Sequence, residues 1–142
     1  MIFKKGTPEK TMQIIDAYIG KNEKVPIIVE GSRDMEALRK IGFRGEVIVF
    51  NAGLSIVAFA EAIAKEHDRV VVLFDFDRKG TSLKKRLSSI LTPIISDVDS
   101  ALWVYIRENL PIRTVEELPS IFDTVQNAVK TGITRRKQRE MK

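Results

Sequence analysis

Two aspartates, Asp75 and Asp77, close the stretch "RVVVLFDFDRKG" with one phenylalanine between them. Side chains of an extended chain alternate faces with a period of two, so a strand persisting to its end would aim both carboxylates the same way. Like charges at that spacing repel, and either one binds a proton or a cation sits between them. A third acid, Glu30, closes another aliphatic run, "VPIIVEG". Carboxylate oxygens are hard ligands. A small set of them suits Mg²⁺ or Mn²⁺, which keeps several waters and takes substrate phosphates as well. The competing reading is local: an aspartate after a strand caps the next helix, and Asp77 can do this for a helix near Thr81.

Other residues around these acids suit the same chemistry. Arg78, Lys79, Lys84, Lys85 and Arg86 place five bases within nine residues. They can hold phosphates beside a metal, or form a solvated helix face. Asp34, four residues after Glu30, either favours a helix N-terminus electrostatically or forms an outer shell with Arg33. "NAG", Asn51 to Gly53, is a small loop after a third aliphatic run, and its glycine lets backbone approach a phosphate closely. The C-terminal "TGITRRKQREMK" carries five bases, among them Arg135, Arg136 and Lys137, against one acid. It holds four of the chain's five net positive charges. It either touches nucleic acid or is a frayed, solubilising end.

The elements that must position these groups alternate. Thr7-Pro8 reads as a cap and first helical residue, opening a helix that runs to Ile19 and ends at Gly20. "VPIIVEG" is a buried strand, "RDMEALRKI" a helix capped by Ser32 and ended at Gly42, and "EVIVF" a second strand. "SIVAFAEAIAKEH" is an apolar helix, "RVVVLFDF" the third strand, and "TSLKKRLSSIL" a helix with leucines at 83, 87 and 91. Continuous Val/Ile runs mark strands covered on both faces, as in a parallel sheet. Further on, "DSALWVYIRENL" has helical spacing and "IRTV" suits a short edge strand. "EELPSIFDTVQNAV" is a helix broken or entered at Pro119, and Trp103 and Phe122 are core candidates. The expected fold is α/β, a doubly wound, mainly parallel four-stranded sheet flanked by helices. Residues 1–23 form an N-terminal helix packed on the domain, 24–130 the domain itself, and 131–142 a basic, flexible tail. Ligands of such sheets bind outside the carboxyl ends of the strands, where the three acids lie.

Composition narrows the class. At 142 residues the chain suits one domain, and 44% hydrophobic with 30% charged residues is ordinary for a soluble protein. No apolar run approaches the ~20 residues of a membrane span, and no secretory signal is visible in "MIFKKGTPEK". Cysteine is absent, which excludes disulfides and thiolate metal sites and fits a cytoplasmic setting. One histidine, His67, cannot build a His-rich zinc site, and reads as a solvated residue at a helix end.

Together, "IIVEGSRDMEALRKIG" and "VVVLFDFDRKG" resemble the two signature motifs of the Toprim domain. That domain is shared by type IA and type II topoisomerases, bacterial-type primases, OLD-type nucleases, recombination-repair proteins and small ribosomal-RNA maturation nucleases. The resemblance spans residues 24 to 120 and is greatest to small stand-alone Toprim proteins of archaea and bacteria. It implies a Toprim-type fold, Glu30 as metal ligand or general acid/base, and Asp75 and Asp77 as the DxD that binds Mg²⁺. Gly31 and Gly80 match the glycines flanking the motifs, and Asp34 an acidic position of the primase and maturation-nuclease branches. The chain departs from some topoisomerases by placing Lys79 where they carry a third acid. Only Tyr18 and Tyr105 could serve as a nucleophilic tyrosine, and both sit in helix-like apolar surroundings.

The expected function is therefore divalent-metal-dependent nucleic-acid processing, with phosphodiester cleavage of RNA or DNA as the reaction. Glu30, Asp75 and Asp77 are its catalytic and metal-binding residues. The alternative is a non-catalytic module that docks nucleic acid or a ribonucleoprotein through Arg78, residues 84–86 and the tail. A third class, the haloacid-dehalogenase phosphatases, also places DxD after an aliphatic strand. There the motif opens the chain, whereas here only 65 residues follow it and "VEG" would go unexplained.

Overall fold

The computed structural model describes residues 7–50 and 53–140, with the side chains of 133–140 excepted. Its elements are α1 (Pro8–Asn22), β1 (Ile27–Val29), α2 (Ser32–Lys40), β2 (Val47–Val49), α3 (Ile56–Glu66) and β3 (Arg69–Val72). There follow α4 (Arg78–Leu91), β4 (Asp97–Asp99), α5 (Ala101–Asn109), a 3-10 turn (Val115–Glu117) and α6 (Leu118–Glu140). The four strands form one parallel sheet in the order β2-β1-β3-β4, with Ile28 opposite both Ile48 and Val72. The chain thus leaves β1 toward β2 and returns on the other side of β1 as β3. That reversal is the switch point at which open α/β sheets bind ligands.

The central strands are buried on both faces. Ile27, Val29, Val71 and Leu73 join a core made with α1, α2, α5 and α6, where Leu38, Trp103 and Ile106 are fully enclosed. Ile28, Val70, Val72 and Phe74 face the opposite way into a core with Phe59, Ile63, Leu87 and Leu91 of α3 and α4. Two cores on one strand require apolar residues at every position, which is why these strands read as unbroken aliphatic runs.

Some expectations change. The helix α1 continues past Gly20 to Asn22, because Gly20 keeps a right-handed conformation. "IRTV" is not the edge strand: the fourth strand is Asp97–Asp99, parallel to β3. The 112–115 segment leads into the 3-10 turn instead. The helix α4 begins at Arg78, earlier than the expected start near Thr81. Trp103 is enclosed as expected, whereas Phe122 is half-buried on the surface of the core. The helix α6 crosses residue 130 and runs to Glu140. Among the described residues, no helix is long and apolar enough to cross a membrane.

Candidate metal centre

The sequence "IIVEG" ends β1 by turning into α2, whose N-cap is Gly31. Asp34, in the first turn of α2, reaches back so that its Oδ2 accepts from the Gly31 N–H at 3.1 Å. Glu30, one residue past β1, projects toward the end of β3, and its Oε1 accepts from the Asp75 N–H at 2.8 Å. This bond joins the ends of the two strands that flank the switch point.

The DxD segment is held from the far side. Asp75 Oδ1 accepts from the Val115 N–H at 2.9 Å, the Asp75 carbonyl accepts from the Trp103 indole N–H, and the Phe76 N–H donates to the Arg113 carbonyl. Alternation along the chain stops here. Phe74 lies in the α3–α4 core, yet Asp75 turns to Val115 and Phe76 also packs against the other core. Asp75 and Asp77 are therefore not the parallel pair of an unbroken strand. Asp77 is the N-cap of α4, its Oδ1 accepting from the Gly80 N–H at 2.8 Å. Gly80 is required by packing: a Cβ there would lie 2.1 Å from the Asp75 carbonyl oxygen.

The electrostatics of the corner are one-sided. Burial pushes the Glu30 carboxyl above its usual range, and the charges of Asp75, Asp34 and Asp77 add to the rise. Burial also raises Asp75, with Asp77, Glu116 and Glu117 contributing. Asp34 is pushed up to about 6 by burial and then by Asp75. The largest charge effects on these three groups all come from acids. Such a set gains stability from a cation. Among the described residues, however, no group of three or more carboxylate or imidazole side chains stands ready to hold an ion. One oxygen of Glu30, of Asp75 and of Asp77 is already turned to a backbone N–H. The donor set nevertheless fits Mg²⁺, which is bound by one or two carboxylates with waters and substrate phosphates rather than by an all-protein cage.

Of the bases named from sequence, Lys79 and Arg86 share a hollow with Glu30 and Phe50. Arg78 and Lys85 line an adjoining hollow with Asp77. Lys84 lies over the Trp103 ring at 4.4 Å from its centroid. Arg33 is exposed on the other side of the corner, beside Glu36 and Glu116. Gly53 is exposed in the turn before α3. Asn51 lies outside the described residues, as do the side chains of Arg135, Arg136 and Lys137. His67 ends α3 with its Nε2 3.5 Å from Glu46. Sequence reasoning missed Arg107, Phe76, the Trp103 N–H and the Val115 N–H. The two N–H donors carry no signal in sequence. Arg107 and Phe76 could have been flagged only as a base and an aromatic near the motif in space.

An all-parallel four-stranded sheet flanked by helices is the Toprim-type α/β fold, and residues 25–104 match the Toprim domain family. The chain belongs to that family. It is 50% identical to UPF0292 protein TV1259 of Thermoplasma volcanium over 106 residues, 75% of this chain and 89% of the relative. Identity is 39% with UPF0292 protein TK1411 of Thermococcus kodakarensis, covering 68% of this chain and 72% of that one. With UPF0292 protein MJ1624 of Methanocaldococcus jannaschii it is 32%, covering 78% and 88%. Among solved structures, a protein from Aquifex aeolicus superposes with a TM-score of 0.60 at 24% identity, covering 72% of this chain and 95% of that one. That likeness concerns the fold alone. Membership of the family points to a metal-dependent function related to nucleic acid.

Proposed function

We propose that this chain is a phosphodiester-cleaving protein acting on RNA or DNA, with Mg²⁺ as its ion and Mn²⁺ able to replace it. The observation that supports this most is the 2.8 Å bond from the Asp75 N–H to Glu30 Oε1, which sets donors from two strands side by side at the switch point. Glu30, Asp75 and Asp77 would hold the ion, which would supply neutralisation of phosphate charge. Glu30, whose carboxyl pKa is pushed upward by burial and by its acidic neighbours, is suited to move a proton. Water adds to phosphorus, the bond to the leaving sugar oxygen breaks, and that oxygen takes up the proton the water loses. Arg78 and Lys79, exposed in the first turn of α4, steady the phosphate charge.

The test is cleavage of labelled RNA and DNA oligonucleotides in Mg²⁺. Asp75→Asn should abolish turnover, and Glu30→Gln should slow it by about 10²–10⁴-fold. Wild-type rates from pure, folded Asp75→Asn would overturn the proposal. A second reading, binding without cleavage, draws on the lack of a ready three-carboxylate group among the described residues and on Lys79 at the third-acid position. Salt-sensitive association with no turnover in either metal would favour it.

A further inference from the structure

Two hollows adjoin across the exposed face of α4. One, of about 650 Å³, is lined by Phe76, Asp77, Arg78, Lys85 and Arg107 among others. The second, of about 420 Å³, lies between Glu30, Phe50, Lys79 and Leu83. Ser82 and Arg86 belong to the walls of both. Each hollow thus pairs a half-buried phenylalanine with two or more cations, and each includes one acid of the metal corner.

The cations converge on this face from two helices. Arg78 and Lys79 occupy the first turn of α4, which contains no acid, although the helix dipole favours anions there. Arg107 comes from α5 and stacks over Trp103, 5.3 Å from the ring centroid. Lys84 covers the same ring, and its pKa is lowered by burial and then by Lys85 and Arg107. Like charges gathered from two helices beside the half-buried Phe50 and Phe76 rings suit a polyanion that also offers flat apolar faces.

We propose that these hollows form one track for single-stranded nucleic acid, with the strand's phosphates on Lys79, Arg86, Lys85 and Arg107 and its bases against Phe50 and Phe76. This rests on the reading of the neighbouring acids as a nucleic-acid-processing site. It adds strandedness, a direction of approach and Arg107. A duplex keeps its base faces stacked internally and can use the cations but not the rings. The phenylalanines are backed by protein: Phe76 by Trp103 at 5.9 Å, and Phe50 by Phe59 at 4.9 Å. A base stacking on either ring meets a surface already ordered.

The experiment measures fluorescence anisotropy in EDTA with the full chain, using a labelled RNA strand, the DNA strand of the same sequence, and the duplex of each. At least one single strand should bind about tenfold more tightly than its duplex, and the RNA and DNA arms identify the preferred sugar. Arg107→Gln should weaken that binding and lower the salt slope by about 0.7. Phe76→Leu should weaken it about tenfold with the salt slope unchanged. Ser82→Glu, at an exposed position shared by both hollows, gives a further variant whose folding is not at issue, and it should also weaken binding. Lys40→Gln, on α2 away from the track, should bind as wild type. Duplex binding as tight as single-strand binding, or wild-type affinity in both Arg107→Gln and Ser82→Glu, would overturn the track. Asp75→Asn separates the two proposals: it should lose cleavage while keeping single-strand binding in EDTA.

Discussion

At the residue scale, Asp77 carries two roles that its sequence position leaves undivided. Its Oδ1 caps α4 through the Gly80 N–H, and its charge raises the pKa of both Glu30 and Asp75. Asparagine caps about as well as aspartate, whereas alanine forfeits about 1 kcal/mol. Asp77→Ala should therefore lose both stability and Mg²⁺ affinity. Asp77→Asn should keep stability within a few tenths of a kcal/mol, by the same capping scale, and lose Mg²⁺ affinity. Chemical denaturation and calorimetric Mg²⁺ titration of the two variants decide this. Equal Mg²⁺ affinity in Asp77→Asn and wild type would leave Asp77 a cap alone. The DxD was legible as a motif. Its geometry was not, because the break in alternation after Phe74 is imposed by Val115 and Trp103, 40 and 28 residues further along.

At the element scale, the edge strand β4 is clasped by α1. Lys21 Nζ lies 2.5 Å from Asp99 Oδ2, and the Tyr18 hydroxyl donates to the same carboxylate at 2.8 Å. Burial pushes the Asp99 carboxyl up, but the bonds from Lys21, the Ala101 N–H and Tyr18 outweigh it and hold the group below its ordinary value. A depressed carboxylate contributes stability that is complete above its unfolded pKa, near 3.9, and is lost as pH falls through the folded value. Lys21→Met should lower stability by about 1–3 kcal/mol at pH 7. The deficit should shrink below about pH 4, as Asp99 protonates in both proteins. Melting temperature against pH measures this, and a deficit constant down to pH 2 would refute the clasp. Only one of the three residues of β4 is apolar, so its sequence offers no strand pattern. "IRTV" has the better composition, yet the N–H groups of Arg113, Thr114 and Val115 are spent on Glu117 and Asp75.

At the scale of the whole molecule, the sheet gathers acids at its switch point and bases on the adjoining face of α4. Ion binding to the native state alone should stabilise the fold by mass action, about 2.7 kcal/mol at a hundredfold excess over Kd. Thermal melts of wild type should thus rise with Mg²⁺, and those of Asp75→Asn should not. A Mg²⁺ response shared by both would place the ion elsewhere.

The sequence by itself determined the α/β order as far as α4, because strands covered on both faces must be apolar at every position and helices must repeat near 3.6 residues. It also determined that acids follow β1 and β3, since chain order alone places residues at strand ends. The tertiary structure alone decided that β1 and β3 are neighbours, which side-chain period cannot reveal, and so that Glu30 meets Asp75. It also decided that the fourth strand is "DVD" and that Arg107 joins the bases of α4. These are contacts between segments far apart in the chain. They depend on how the helices pack on the sheet, which no local pattern encodes.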